Sequence, residues 1–327
     1  MKHHTIDIEN VNIHYVEAGG GSDTNLPRQT IVFLHGFPEY WGTWHAQLDY
    51  FADHYRVIAP DLPGYNLSDK PEDPSFYQVP KLIKFIAKFI QGVAPQEKII
   101  LVAHDWGGVI AWPIAAFFPQ LIDKLVILNA AHPSIFTREM INNAQQRQKS
   151  EYIHELIASS GVEKLSDNNY QYLKDTVFVG MREGTLSETQ CKAYEDVWAQ
   201  SGAINGMLQY YRSMPQLAPS EKVSVAGNGP VVAATQMKIP NIRITCPTLL
   251  LWGEQDQAFV KENTDGVEKY VPDLRIKRFP DASHWLQHEL PNEVNLEISS
   301  EEIKKAQYEY LSKISVINKK VNNFTDK

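Results

Sequence analysis

The sequence predicts an α/β protein, with a mostly parallel central sheet flanked by helices and interrupted by a helical insertion. Three observations predict it. Strand-like and helix-like stretches alternate through about the first 130 residues, as in strands joined by helical crossovers. From about Ser134 to Lys238 the strand signal is absent. It returns at Thr248–Trp252 and Leu274–Phe279.

Taken in order, Thr5–Ile8 and Val11–Glu17 read as an opening hairpin, followed by a polar loop, GGGSDTNLPRQ. Ile31–His35, Tyr55–Pro60, Ile99–Ala103 and Lys124–Asn129 are short apolar runs bounded by turn formers, hence buried strands. Lys81–Ile90 has apolar residues at helical spacing with Lys81, Lys84 and Lys88 on the other side, which reads as a packing helix with a solvated lysine face. The middle region shows helical spacing at Tyr152–Ile157 and Tyr194–Arg212 and ends in an irregular stretch, LAPSEKVSVAGNGPVVAATQ. Its lone GxG, Gly227 and Gly229, has no strand-turn-helix context and reads as loop. A helix candidate spans Lys261–Val271, and the tail from Ser299 to Lys327 is charged and helical at first. The expected organisation is a core in two parts, residues 1–133 and 239–327, with residues 134–238 inserted as a helical cap.

At 327 residues with 43% hydrophobic and 21% charged side chains, the chain is neither disordered, collagen-like nor a coiled coil, and it builds a sizeable core without disulfides. Its formal net charge of -8 argues against a general binder of nucleic acid or of anionic membranes. Cys191 and Cys246 stand far apart with no CxxC, so neither a disulfide framework nor a thiolate metal site is expected. MKHHTIDIEN reaches Asp7 and Glu9 before any apolar run. No signal peptide is visible and a cytoplasmic location is expected, although a leader already removed would leave no trace. The uncharged run Trp106–Ile122 is broken by Gly107, Gly108, Pro113 and Pro119 and is too short for a membrane span.

One segment concentrates chemistry. IILVAHDWGGVIAW joins a buried strand to a helix through a turn that requires small residues, here Ala103 and Gly107, on either side of its apex. Such a turn lifts the apex side chain above the sheet. The apex is Asp105, where a nucleophile elbow usually carries serine; an aspartate there also reads as a helix N-cap. Other segments favour the first reading. HGFPEYWGTW leaves its strand at Gly36, so the N–H of Phe37 can point toward the apex, and with the N–H of Trp106 would form an oxyanion hole. GEQDQAF places Asp256, and FPDASHWLQHELP places His284, in loops at carboxyl ends of strands, where catalytic groups of open α/β sheets gather.

These segments, with DLPGYNLSDKP, resemble the α/β-hydrolase superfamily and, more narrowly, its epoxide hydrolase family. Five motifs match in family order, and the likeness covers about residues 5 to 300. Asn66 stands where the family usually has glycine, and asparagine tolerates positive φ. The resemblance implies an α/β-hydrolase fold and conversion of an epoxide to a vicinal diol through an aspartyl ester. It makes Asp105 the nucleophile, His284 the base for water and Asp256 its orienting acid, with Phe37 and Trp106 as backbone donors. LNAAHPSIF, after the strand Lys124–Asn129, holds no carboxylate that could replace Asp256. In QYYRSMP, the tyrosine just before arginine, Tyr211, matches the family's donor to the epoxide oxygen. A second donor comes from an earlier cap helix; the histidine of one family branch matches His154, and Tyr152 is the alternative.

The resemblance implies no cofactor and no metal; the partners are a small-molecule epoxide and water, and a homodimer is an open alternative. His284 and His288 are spaced i,i+4, but HWLQH lacks the glutamate of the zinc motif. Asp61, Asp69 and Glu39 are expected to serve turns or structural hydrogen bonds, and Tyr170, Tyr172, Tyr194 and Trp198 to line a core. A haloalkane dehalogenase uses the same ester and would employ the Trp106 indole on halide, but usually adds a polar donor where this chain has Phe37. Haloacetate enzymes carry arginines at the positions of Trp106 and Val109. A non-catalytic binder of small ligands is a more distant reading, because all three triad members are present.

Overall fold

The structure, a computed structural model, describes residues 1–19, 29–178, 181–182, 184–213 and 237–299. Most of the polar loop, the irregular stretch with its GxG, and the tail beyond residue 299 lie outside the described residues.

Eight strands form one sheet in the order β1-β2-β4-β3-β5-β6-β7-β8. They are β1 (Lys2–Ile8), β2 (Val11–Gly19), β3 (Thr30–Leu34), β4 (Arg56–Pro60), β5 (Ile99–His104), β6 (Ile122–Leu128), β7 (Thr248–Gly253) and β8 (Leu274–Phe279). β1 pairs antiparallel with β2 and β2 with β4, and all remaining pairs are parallel. The parallel strands are apolar on both faces because both are covered. Along β5, Ile99, Leu101 and Ala103 enter the core on one side, while Ile100 and Val102 enter the core on the other. Nearly every apolar run predicted a strand within two residues of its observed limits.

Helix α1 (His45–Phe51) follows β3, α2 (Val79–Val93) follows β4, and α3 (Trp106–Phe117) follows β5. α2 buries Leu82, Phe85, Ile86 and Phe89 and leaves Lys81, Lys84 and Lys88 in solvent, so its lysine face is the solvated one. Between β6 and β7 the described residues hold helices and no strand: α4 (Pro133–Asn142), α5 (Ala144–Lys149), α6 (Tyr152–Ile157), α7 (Gly161–Phe178), α8 (Glu188–Trp198) and α9 (Ala203–Arg212). α7 is broken at Asp167–Tyr170. α10 (Leu286–Glu289) follows β8. No helix among the described residues is long and apolar enough to cross a membrane.

Two expectations are corrected. The helix candidate at Lys261–Val271 is two 3-10 turns, Lys261–Thr264 and Val267–Lys269, because Gly266 between them takes φ 80° and interrupts the helical path. Tyr194–Arg212 belongs to two helices, α8 and α9, separated at Gly202, whose φ is 75°.

Candidate active site

β5 ends at His104 and α3 begins at Trp106, so Asp105 alone makes the turn. Its backbone takes φ 49° and ψ -120°, a strained conformation for a residue with a Cβ. Close packing holds it there. A Cβ on Gly107 would lie 2.3 Å from the Leu34 carbonyl oxygen, so only glycine lets α3 approach β3 this closely. Across the turn, a Cβ on Gly36 would lie 2.3 Å from the Asp105 carboxylate. That absence of a side chain lets Asp105 Oδ1 reach the Phe37 N–H, at 2.7 Å. Trp106 opens α3, so its N–H has no intrahelical acceptor. No N-capping bond from the Asp105 side chain to α3 is formed, which disposes of the N-cap reading.

His284 and Asp256 arrive from the loops after β8 and β7. His284 Nδ1 lies 2.7 Å from Asp256 Oδ2, and His284 Nε2 lies 3.7 Å from Asp105 Oδ2. Asp256 is 2% exposed; its Oδ1 accepts from the N–H groups of Ala258 and Phe259 at 2.6 and 2.9 Å. Burial alone would raise the Asp256 carboxyl, but the positive His284, its hydrogen bond, and those from Asn129 and Phe259 hold it below the ordinary value. Burial would likewise lower His284; the charge and hydrogen bond of Asp256, with the charge of Asp105 behind them, bring it up to about 9. With a carboxylate on Nδ1, the other nitrogen faces Asp105.

Above the carboxylate lies a cavity of about 430 Å³ lined by Asp105, Trp106, Tyr152 and Tyr211. Tyr210 is not at it: its hydroxyl donates to the Pro63 carbonyl at 2.7 Å. Tyr211, its neighbour on α9, lines the cavity with Asp105. Burial, with Tyr152 and Asp105, pushes the Tyr211 phenol well above its ordinary value, and burial with Asp105 does the same for Tyr152. Both phenols therefore keep their protons at neutral pH and remain donors.

His154 is exposed and does not line the cavity. Of the two candidates for a second donor, the cavity is therefore lined by Tyr152 and not, as expected, by His154. Residues two apart on a helix point about 200° apart, so when α6 turns Tyr152 inward it turns His154 outward.

The chain matches the family model for the alpha/beta hydrolase fold over residues 29–291. It is 32% identical to mouse epoxide hydrolase 4 over 87% of this chain and 74% of the mouse protein. It is also 32% identical to the AB hydrolase superfamily protein YfhM of Bacillus subtilis, over 89% of this chain and 94% of that one. Among solved structures, a mutant of an epoxide hydrolase from Bacillus megaterium superposes with a TM-score of 0.78 at 32% identity, covering 91% of this chain and 99% of its own. The chain belongs to the α/β-hydrolase superfamily and, within it, to the epoxide hydrolase family.

Two residues of this α/β hydrolase were not read as parts of the site from sequence. Asn129, at the end of β6 with φ 38°, donates through Nδ2 to Asp256 Oδ2 at 2.7 Å and accepts from the Gly253 N–H at 2.9 Å. It ties the end of β6 to the loop of Asp256. Its signal was its place at a strand's carboxyl end.

Glu39, fully buried, is the second. Its Oε1 accepts from Thr43 at 2.6 Å and Tyr194 at 3.0 Å and lies 2.7 Å from His288 Nε2. Its Oε2 lies 3.1 Å from His104 Nδ1 and accepts from Gln287 at 3.2 Å. Burial opposes its charge, yet His104 and His288 hold the carboxyl well below the ordinary value. His104 Nε2 donates to the His284 carbonyl at 2.9 Å, an oxygen that only accepts. Glu39 thus ties together the loop after β3, the end of β5, α8 and the turn carrying His284. Among the described residues, no group of three or more His, Cys, Asp or Glu gathers to hold a metal ion. Asp61 takes the expected structural role, accepting from the Trp41 N–H at 3.0 Å and from Asn66 at 2.9 Å. Asn66 has φ 38°, the conformation for which asparagine is the tolerated substitute for glycine.

Proposed function

We propose that this protein hydrolyses epoxides to vicinal diols through an ester on Asp105. Asp105 Oδ2 attacks a ring carbon, the carbon–oxygen bond of the ring breaks, and Tyr211 and Tyr152 donate to the oxygen as it gains the electron pair. His284, oriented by Asp256, then takes a proton from water, which attacks the ester carbon while Oδ1 carries the oxyanion near the N–H groups of Phe37 and Trp106. The bond from that carbon to Oδ2 breaks, the His284 imidazolium returns its proton to the departing oxygen, and the diol leaves with the original Asp105 oxygen while the water oxygen stays in the Asp105 carboxylate.

One observation carries the proposal: an aspartate at a strained elbow faces a His–Asp pair on one side and two protonated phenols on the other. An alkoxide is a strong base and needs such donors, whereas halide is a weak base and does not. The relatives named as epoxide hydrolases support the same reading, as does a mutant of the Bacillus megaterium enzyme solved with its product (R)-3-[1]naphthyloxy-propane-1,2-diol, a vicinal diol. A screen of epoxides beside haloalkanes, with diol and halide both measured, is expected to yield diol alone. Halide release at rates comparable to or above diol formation would favour the dehalogenase.

The position of His284 near 9 has a consequence for pH. In the free protein the imidazole is protonated below about 9 and cannot serve as a base. Esterification removes the charge of Asp105, one of the groups holding that proton, so the pKa of His284 falls once the ester forms. The midpoint for ester hydrolysis in single turnovers is therefore expected below the free-protein titration of His284 followed by NMR. A hydrolysis midpoint at or above that titration would contradict this coupling.

A further inference from the structure

The space around Asp105 is uneven. Val109, Ile153, Phe136 and Phe259 line the cavity; the Phe136 and Phe259 rings meet edge-on with centroids 5.8 Å apart, and Phe259 also lies 6.0 Å from the His284 ring. Its two aliphatic hydroxyls are turned to their own neighbours: Thr137 Oγ1 donates to the Pro133 carbonyl at 2.8 Å, and Ser150 Oγ accepts from Gln146 at 3.2 Å. The wall therefore presents mostly carbon, and among the described lining residues Lys238, itself exposed, is the one cation.

The other side of Tyr211 is occupied by rings. Phe37 and Trp106 pack edge-on against Tyr211, with centroids 5.1 and 5.2 Å away. In the same loop as Phe37, Tyr40 meets Tyr194 at 5.4 Å, and Tyr194 meets Trp198 at 5.7 Å. Hydrogen bonds pin this stack, since Trp198 donates to the Pro38 carbonyl at 2.8 Å and Tyr194 to Glu39 at 3.0 Å. Tyr194 and Trp198 are 3% and 1% exposed.

An epoxide held by its oxygen at Tyr211 and Tyr152, with one carbon toward Asp105, directs substituents on its two carbons away from each other. A substituent on one carbon has the apolar arm to enter; a substituent on the other meets the ring stack. We propose that this protein selects terminal epoxides carrying a single compact apolar group, aryl or alkyl, over epoxides substituted on both carbons. The proposal rests on the epoxide reading above and narrows it.

The test compares kcat/KM of the full chain for styrene oxide and 1,2-epoxyoctane with that for trans-β-methylstyrene oxide, trans-stilbene oxide and 9,10-epoxystearic acid. Since one misplaced methylene is worth roughly 10–200-fold, the terminal epoxides are expected to lead by about 10²-fold or more. Trp198→Ala, which removes a ring from the occupied side, should narrow that gap by raising turnover of the disubstituted substrates. Phe136→Ala, which lengthens the open arm, should favour longer terminal epoxides without helping stilbene oxide; this second variant does not depend on the Trp198 hydrogen bond. Turnover of the disubstituted epoxides within about threefold of styrene oxide, or better turnover of the fatty-acid epoxide, would overturn the one-sided pocket while leaving epoxide hydrolysis intact. Turnover of no epoxide would overturn both.

Discussion

His284→Gln is expected to stop turnover after the first half of the reaction and leave the substrate attached to the protein. The imidazole lies 3.7 Å from Asp105 Oδ2 and is held through its other nitrogen by Asp256 at 2.7 Å, which suits it to act on water rather than on the epoxide. Removing a positioned base costs about 10² to 10⁴-fold, and the whole of that loss should fall on ester hydrolysis. In the proposed mechanism ring opening depends on Asp105 and the two phenols, none of which is altered. Intact-protein mass spectrometry should therefore show an adduct of the substrate's mass in His284→Gln that Asp105→Ala does not form. Normal turnover by His284→Gln, or an adduct that persists in Asp105→Ala, would show that the roles have been assigned to the wrong residues.

Tyr211→Phe should act on the opposite half. It removes one hydroxyl from a ring that is 3% exposed and packed edge-on against Phe37 and Trp106, so packing changes little. What is lost is a donor to an oxygen that becomes a strongly basic alkoxide. Alkylation by epoxide should slow by about 10²-fold or more, with decay of the preformed ester much less affected. Tyr152→Phe should also slow alkylation, because Tyr152 lines the same cavity. His154→Gln should leave alkylation within about twofold of wild type, the ordinary consequence of changing an exposed side chain. Burst kinetics resolve the two steps. A Tyr211→Phe rate within about threefold of wild type in a folded protein, or a larger loss in His154→Gln than in Tyr152→Phe, would contradict this division of labour.

The sheet was legible in the sequence because buried parallel strands are short, uninterrupted apolar runs, and IVFLH, IILVA and KLVILN are of that kind. Asp105 was legible because a strand-to-helix turn this tight leaves room for few residues, and the small ones flank it. What was not legible depended on rotation and on contacts distant in sequence. α6 is six residues long, too short for apolar spacing to tell whether Tyr152 or His154 points inward. Gly202 and Gly266 ended helical paths that the apolar spacing alone would have continued. Asn129 was passed over since it has no carboxylate to lend, and its contribution is an amide donor to a carboxylate 127 positions later. Glu39 stands in a recognisable motif, but its partners Gln287 and His288 lie on the far side of the chain, and only folding brings them to it.

The most direct test of the central claim, that a protein carboxylate and not water opens the ring, is one turnover in oxygen-labelled water with the protein in excess over epoxide. An ester on Asp105 predicts diol with unlabelled oxygen, and label in Asp105 when the peptide that contains it is analysed. Label in the diol at the first turnover, with Asp105 unlabelled, would mean that water attacks the epoxide directly and would contradict the ester.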